Sequence, residues 1–194
     1  PVAVVTMHQY PTGTGCIYRA QPLQLLGVDY DTFVPSTTFD AQKRLGLEQG
    51  NYVLFSDVAN TPIKRRDIAE AIVNTMGGKY KLLIMCGVKP NVVPLYINAA
   101  DFVLLTSDEE GSPNIIREAL AMNKRVYSVD VGDAAKQIQG LKNSLIISRN
   151  AIDAAKAILQ NLECAYIDNT RTKQQQVLDF KCINENVIDL YENS

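Results

Sequence analysis

The chain has 194 residues, a formal net charge of −2, 46% hydrophobic residues and 21% charged residues. These proportions are typical of a packed globular protein and exclude a disordered acidic or basic tail. The near-neutral charge argues against nucleic acid as a partner, because binding to phosphates needs a concentrated basic face. The sequence has no unbroken apolar stretch of about 18 residues, so it predicts no transmembrane helix.

Short apolar runs rich in Val, Ile, Leu and Phe alternate along the chain with segments of helical periodicity. Most of these runs lack strict alternation of apolar and polar residues, which is typical of strands buried on both faces of a parallel sheet. The predicted strands are Val2–Met7, Leu23–Gly27, Tyr52–Ser56, Lys81–Met85, Phe102–Thr106, Arg125–Val129 and Ser144–Ile147.

The segments between and after these strands carry apolar residues at spacings of three and four, as amphipathic helices do. In the segment Ala151–Leu162 this stripe consists of Ile152, Ala155, Ile158, Leu159 and Leu162. The predicted helices are Asp40–Leu45, Asp67–Met76, Pro113–Met122, Asp133–Gln139, Ala151–Leu162, Thr170–Asp179 and Asn184–Glu192. The alternation predicts an α/β fold with a doubly wound, mainly parallel, Rossmann-like sheet, followed by two C-terminal helices.

Polar residues follow four of the predicted strands. They lie in loops at residues 57–65, 86–89, 107–114 and 130–133. The carboxyl ends of parallel strands meet at one edge of a sheet, and ligands bind in the crevice beyond that edge. The topology therefore predicts that these four loops border one site.

The third of these loops leads into a predicted anion-binding helix start. Ser112 is a favoured N-cap residue, and Pro113 is tolerated at the first helical position. The N–H groups of the next three residues, Asn114, Ile115 and Ile116, then lack helical partners and point out of the helix with the positive end of its dipole. Such a helix start is suited to phosphate.

Charged residues surround this helix start. Gly111 leaves room for a ligand to approach the backbone, and Glu110 and Glu118 flank the first turns. Structural explanations compete with a ligand site, because carboxylates near a helix start also favour the dipole. The acidic run at residues 108–110 and the basic run Lys64–Arg66 are also typical of solvated surface, but both follow strands at the same predicted edge.

The sequence around this loop and helix start resembles that of a known protein family. The run from Ser107 to Ala121 resembles the E-x7-E signature of group 1 (family 4-like) glycosyltransferases, which are retaining enzymes with the GT-B fold. The resemblance extends in order from about Leu23 to the C-terminus. Further matching segments are the linker Gly27–Pro35, the basic turn Ile63–Arg65, the helix and strand start Val93–Asp101, and the strand and loop Val126–Asp133.

The resemblance implies a role for each matching position. Glu110 is expected beside the donor sugar and Glu118 on the ribose hydroxyls, while Lys64 stabilises the departing diphosphate by its charge. Glu110 and Lys64 are thus the catalytic candidates. The donor-binding candidates are Glu118, Gly111, Ser112, Asn114, Ile115, Ile116, Arg65 and Gly132. The family works without a metal or other cofactor, so the resemblance implies a nucleotide-diphosphate sugar as substrate and no metal site.

The sequence departs from the family's pattern in two respects. The family often has Gly-Arg after the strand that ends here at Ser56, whereas Asp57-Val58 stands in this chain. Arg65 or Arg66 would then have to assist Lys64. A GT-B enzyme also has an N-terminal lobe that binds the acceptor, and this chain matches only the C-terminal, donor-binding lobe.

Residues 23–194 are therefore predicted to form a nucleotide-sugar (donor) binding domain of a glycosyltransferase. Residues 1–22 are predicted to be a linker or a remnant of the acceptor lobe, with His8 as a candidate acceptor-side group. The missing lobe would supply the acceptor contacts and any peripheral membrane attachment, and the isolated chain would be inactive. The sequence shows no leader, which predicts a cytoplasmic location. The alternative is a non-catalytic module, derived from such a lobe, that binds a nucleotide sugar or a partner protein.

Two other classes are disfavoured. The scattered cysteines form no Cys-x-x-Cys pair and the only histidine is His8, so they predict reduced, mostly buried thiols rather than a zinc site. These cysteines are Cys16, Cys86, Cys164 and Cys182. A dinucleotide-dependent oxidoreductase needs Gly-x-Gly-x-x-Gly after its first strand, and the nearest match, at residues 13–16, lacks the third glycine.

Overall fold

The structure, a computed structural model, describes residues 27–57, 61–164 and 170–172. Some predictions lie outside these residues: the strand Val2–Met7, all but the last residue of Leu23–Gly27, the helix Asn184–Glu192, the segment 1–22 and His8. Of the predicted helix Thr170–Asp179 only residues 170–172 are described, and they are helical.

The described strands form a five-stranded, all-parallel sheet in the order β2-β1-β3-β4-β5. The strands are β1 (Tyr52–Ser56), β2 (Lys81–Met85), β3 (Phe102–Leu105), β4 (Arg125–Ser128) and β5 (Leu145–Ile146). In the register, Val53 of β1 lies opposite Leu82 of β2 and Phe102 of β3. The sheet confirms the predicted parallel, Rossmann-like architecture, although β3, β4 and β5 are shorter than their predicted strands.

Helices precede and follow the strands, and all but one of them overlap helices predicted from periodicity; the exception, at Val93–Ala99, lies in the helix and strand start of the family resemblance. They are α1 (Thr38–Arg44), α2 (Arg66–Thr75), α3 (Val93–Ala99), α4 (Asn114–Ala121), α5 (Ala134–Gln137) and α6 (Ala151–Glu163). Short 3₁₀ turns cover Pro62–Lys64 and Pro90–Val92. The α2 crossover runs from β1 to β2, and the α3 crossover runs back from β2 past β1 to β3. Because the two run in opposite directions, right-handed connections place α2 and α3 on opposite faces of the sheet. The helix α6 packs on α2, and α1 packs on α3. None of the helices in the described ranges is long and apolar enough to cross a bilayer.

The core lies between the sheet and these helices. Every residue of β3 and β4 is buried, and the ring of Phe102 meets that of Tyr127 edge to face with 5.0 Å between centroids. The predicted inward residues of α4, Ile116, Ala119 and Leu120, are fully buried, and Ile115, Arg117 and Ala121 are buried as well. Burial of this kind contributes about 1.5–3 kcal/mol for each large apolar side chain, and it holds the strand ends in place.

Two burial predictions are wrong. Ile152 is 69% exposed, because it lies one position off the buried stripe of α6, in which Ala154, Ala155 and Ile158 face the core. The described cysteines Cys86 and Cys164 are exposed free thiols, since they lie just beyond the ends of β2 and α6 rather than inside these elements.

Candidate functional site at the carboxyl ends of the strands

The direction of the chain reverses at β1. From β1 the chain passes to β2 on one side, and it then returns beyond β1 to β3 on the other side. In a doubly wound sheet a crevice forms at this switch point, outside the carboxyl ends of the strands. The loops after β1 and β3 border this crevice, and they carry Lys64 and Glu110.

Lys64 and Glu110 form an ion pair. The Lys64 Nζ atom lies 2.6 Å from Glu110 Oε1, and the two side chains are 25% and 14% exposed. The Ser107 hydroxyl donates a second hydrogen bond, of 2.8 Å, to the same Oε1 atom. The two catalytic candidates of the sequence analysis are thus brought into direct contact, and Ser107, for which the sequence analysis proposed no role, holds the carboxylate.

Further hydrogen bonds join the two loops. The hydroxyl of Thr106, a fully buried residue, donates to the carbonyls of Lys64 and Arg65 at 3.0 and 2.9 Å. The amide of Asp108 donates to the Ile63 carbonyl at 2.8 Å. The backbone on either side of Lys64 is therefore fixed to the end of β3. A hydroxyl residue at the end of a buried strand is the sequence signal that could have indicated this contact.

Glu118 lies in the same crevice. A cavity of about 320 Å³ is lined by Lys64, Glu110, Glu118, Asn114 and Ile115, together with the last residues of β1, β2 and β3 and apolar residues of the loop after β2. Burial raises the pKa of Glu118 from 4.5 to about 7, and the neighbouring Arg117 only partly offsets this. The side chain of Glu118 has no hydrogen bond or ion pair among the described residues, so its carboxyl group is available to a ligand.

The start of α4 differs from the prediction. The helix begins at Asn114 with Pro113 as its N-cap residue, and Ser112 caps nothing. Ser112 instead donates to Asp133 Oδ2 at 2.6 Å and accepts from Arg117 Nη1 at 2.6 Å. The N-cap prediction fails because this partly buried network competes for the Ser112 hydroxyl.

The open amides at this helix start are also fewer than predicted. The amide of Ile116 donates to the Pro113 carbonyl at 3.3 Å, and the Ile116 side chain is fully buried. The amides of Asn114 and Ile115 precede the first amide that donates within this turn, that of Ile116, and both residues line the cavity. The anion-binding surface therefore narrows to the first two residues of α4.

Gly132 supports the loop that carries Glu110. Its φ is +55°, and a Cβ atom there would lie 2.3 Å from the Gly111 carbonyl oxygen and 2.6 Å from that of Glu110. The Asp133 amide donates to the same Gly111 carbonyl at 3.2 Å. Only glycine fits this close approach in this conformation, so Gly132 acts on the site by packing.

Arg65 and Asp57 lie beside the crevice, in a neighbouring cavity of about 630 Å³. Arg65 has left-handed backbone dihedrals, and its guanidinium pairs with Asp67 at 2.8 Å and with Asp108 at 3.2 Å. Asp57 is buried and accepts a 3.0 Å hydrogen bond from the Thr61 amide. Its carboxylate is therefore engaged by the Thr61 amide, three residues before Lys64.

The sequence matches a known protein family. The model of the family described as glycosyl transferases group 1 matches residues 58–164, which is more than half of the chain. The chain belongs to this family. The family match contains Lys64, Glu110 and Glu118 of the crevice and all but the first strand of the sheet.

Solved structures share the fold of this group 1 glycosyl transferase. Sucrose-phosphate synthase from Thermosynechococcus elongatus is 18% identical with a TM-score of 0.67, and covers 87% of this chain and 51% of its own. Anabaena HepE, solved with UDP and glucose, is 18% identical with a TM-score of 0.68, and the match covers 87% of this chain and 55% of HepE. No curated protein matches the chain.

A third structure matches over its whole length. It is the C-terminal domain of a group 1 family glycosyl transferase, LpcC from Francisella tularensis, with 15% identity and a TM-score of 0.62, covering 79% of this chain and 100% of that domain. This group 1 glycosyl transferase chain thus spans about half the length of the first two structures and the whole of an isolated C-terminal domain.

Proposed function

We propose that the chain is the donor-binding domain of a retaining glycosyltransferase. It binds a nucleotide-diphosphate sugar, and the glycosyl group passes to an acceptor held by a second lobe. The observation that carries the proposal is the convergence of Lys64, Glu110 and Glu118 on one cavity at the start of α4. This set combines a cation for the diphosphate with carboxylates for the sugar and the ribose.

Lys64 is the residue proposed to stabilise the leaving diphosphate. Negative charge grows on the diphosphate as the glycosyl bond breaks, and a positive charge fixed nearby lowers the energy of that state. The Lys64 backbone is held by Thr106, while its ammonium pairs with Glu110. Diphosphate binding would exchange the Glu110 carboxylate for phosphate oxygens around Lys64, and the first amides of α4 would add two donors.

Glu110 and Glu118 are proposed to bind the two sugars of the donor. Glu110, held by Ser107, faces the cavity beside Lys64, where the transferred sugar would join the diphosphate. Glu118 lies in the same cavity, and its ionised form offers two acceptor oxygens to a pair of ribose hydroxyls. Since its pKa lies at about 7, donor binding should strengthen as the pH rises through that value.

The solved relatives support this class of ligand. HepE, which shares the fold, was solved with UDP-glucose. The match covers only 51% and 55% of the two longer solved chains, which also supports a donor domain at residues 23–194, with the acceptor bound elsewhere in a longer protein.

Calorimetry with UDP, GDP and ADP tests the proposal. One of the three nucleotides should bind, and Glu118→Ala and Lys64→Ala should each weaken binding about tenfold or more, as expected for charged groups paired with a ligand. The matched control is Lys81→Ala, because Lys81 also forms an ion pair, with Glu48, but begins β2 at the opposite edge of the sheet. Absence of binding to all three nucleotides would overturn the proposal.

A second candidate function is nucleotide-sugar binding without transfer. It is favoured by Asp57, which stands where the family has glycine before its diphosphate-binding arginine, and by the engagement of Arg65 with Asp67 and Asp108. Both features leave Lys64 as the main cation for the diphosphate among the described residues of the crevice. Hydrolysis or transfer of a bound donor by the protein would exclude this alternative.

A further inference from the structure

We propose that Arg149 is a positioning residue of the donor site. It follows β5 and precedes α6, 41 positions from Asp108 in the chain. Its guanidinium fixes the loop after β3, and through that loop it sets where Glu110 meets Lys64. The role concerns the proposed donor site and therefore rests on the proposed function.

One guanidinium contacts three consecutive residues of this loop. Arg149 Nη1 donates to the Thr106 carbonyl at 3.2 Å and to Asp108 Oδ1 at 2.9 Å, and Nη2 donates to the Ser107 carbonyl at 2.9 Å. Thr106 and Ser107 are fully buried, and buried carbonyls need donors. A planar fork with several N–H groups suits such a set of acceptors better than a lysine ammonium.

Two of these loop residues contact the catalytic candidates directly, and the third contacts the residue beside Lys64. The Ser107 side chain donates to Glu110, and the Thr106 side chain donates to the Lys64 carbonyl. The Oδ1 atom of Asp108 accepts hydrogen bonds from both Arg149 and Arg65, the neighbour of Lys64. Two of the residues held by Arg149 thus contact a member of the Lys64–Glu110 pair directly, and the third, Asp108, contacts the neighbour of Lys64. Arg149 itself has no hydrogen bond to either member of that pair among the described residues.

Arg149 can be replaced without opening the core. Its side chain is 39% exposed, and it is not part of the apolar packing between α6 and the sheet. Its removal should therefore loosen the loop after β3 and leave the fold intact. This separates a positioning role from a general contribution to stability.

The test uses the whole 194-residue chain and measures the rate at which the N-hydroxysuccinimide ester of acetic acid acetylates Lys64. Mass spectrometry of the peptide that contains Lys64 gives this rate. Glu110→Gln breaks the ion pair directly and should raise the Lys64 rate roughly fivefold, because an ion-paired amine is less available for acylation. Arg149→Gln should raise it by a similar factor. Arg149→Lys should give a smaller rise and provides a second variant if Arg149→Gln does not fold.

Lys124 and Lys156 supply the controls. Lys124 is largely buried and donates to the carbonyls of Asn98 and Ala100, so its rate rises only if the whole domain loosens. Lys156→Ala removes an exposed charge from α6 and should change no rate. A raised Lys64 rate with an unchanged Lys124 rate supports the positioning role, whereas an unchanged Lys64 rate in both Arg149 variants, or an equal rise at Lys124, overturns it.

Calorimetry separates this inference from the proposed function. If the native chain binds UDP, GDP or ADP, Arg149→Gln should weaken that binding severalfold, and Lys156→Ala should not. If the native chain binds none of them, the proposed function fails, while the acetylation rates still decide whether Arg149 positions the Lys64–Glu110 pair.

Discussion

Lys64 and Glu110 are 46 positions apart in the chain and 2.6 Å apart in the structure. Lys64 is the cation proposed to bind the diphosphate, and Glu110 is the carboxylate proposed to bind the transferred sugar. In the structure the two form an ion pair with each other. Their pairing implies that the lysine exchanges one anion for another when a donor binds. The first prediction follows from this exchange.

Glu110→Gln and Lys64→Met should differ in their effect on nucleotide binding. Glu110→Gln removes the anion that competes for Lys64, so affinity for a nucleoside diphosphate should be kept or should rise by up to about fivefold. Lys64→Met should lower it about tenfold or more. Calorimetry with the nucleotide that the native chain binds measures both, and a loss of affinity in Glu110→Gln equal to that in Lys64→Met would contradict this account.

Glu118→Gln should stabilise the protein at high pH. Burial raises the pKa of Glu118 to about 7, so the folded state holds the proton more tightly than the unfolded state, where the pKa is near 4.5. The resulting stability is present below pH 4.5 and is lost as the pH rises through 7, by roughly 1–3 kcal/mol. Glutamine removes this loss.

Urea unfolding at pH 4 and pH 8 measures the effect. The variant should equal the native protein at pH 4 and exceed it at pH 8. Glu70→Gln is the control, because Glu70 forms an exposed ion pair with Arg66 and should leave the pH profile unchanged. A native protein that is the more stable of the two at pH 8 would show that Glu118 is not desolvated.

Gly132→Ala should destabilise the fold and displace Glu110. The added methyl group would overlap the carbonyls of Gly111 and Glu110, at a φ of +55° that alanine disfavours. We expect a cost of about 3 kcal/mol or more in the free energy of unfolding. Gly140→Ala is the matched control: its φ is +75°, but nothing lies within 4 Å of the added atom, so it should cost only about 1 kcal/mol. Equal costs for the two variants would refute the packing role.

Thr106→Val should loosen the turn that carries Lys64. Valine matches threonine in shape but cannot donate to the Lys64 and Arg65 carbonyls, which costs about 1–2 kcal/mol at a fully buried position. The matched control is Thr75→Val, because the exposed Thr75 hydroxyl donates to Ala71 within its own helix. Thermal unfolding compares the two, and amide exchange at Lys64 and Arg65 should quicken only in Thr106→Val.

Most of the fold could be predicted from local patterns. The apolar runs of β1 and β2 and the buried face of α4 match the structure, because a strand or helix buried against one core imposes a period on its residues. The prediction that Ile152 belongs to the buried stripe of α6 is wrong, because this residue lies one position off that stripe. Side-chain periodicity does not determine at which residue a buried stripe begins. Ser112 was misplaced because a local capping preference was outweighed by contacts with Asp133 and Arg117.

The sequence by itself determined which chemistry the loops carry and that they share one edge of the sheet. It supplied Lys64, Glu110 and Glu118 as candidates, since residue type and loop position are local properties. Only the tertiary structure decided that Lys64 contacts Glu110 and that Arg149 holds the loop between them. Those contacts depend on how segments distant in the chain pack together. They also depend on which carbonyl groups become buried and then need a donor. The spacing of neighbouring residues determines neither.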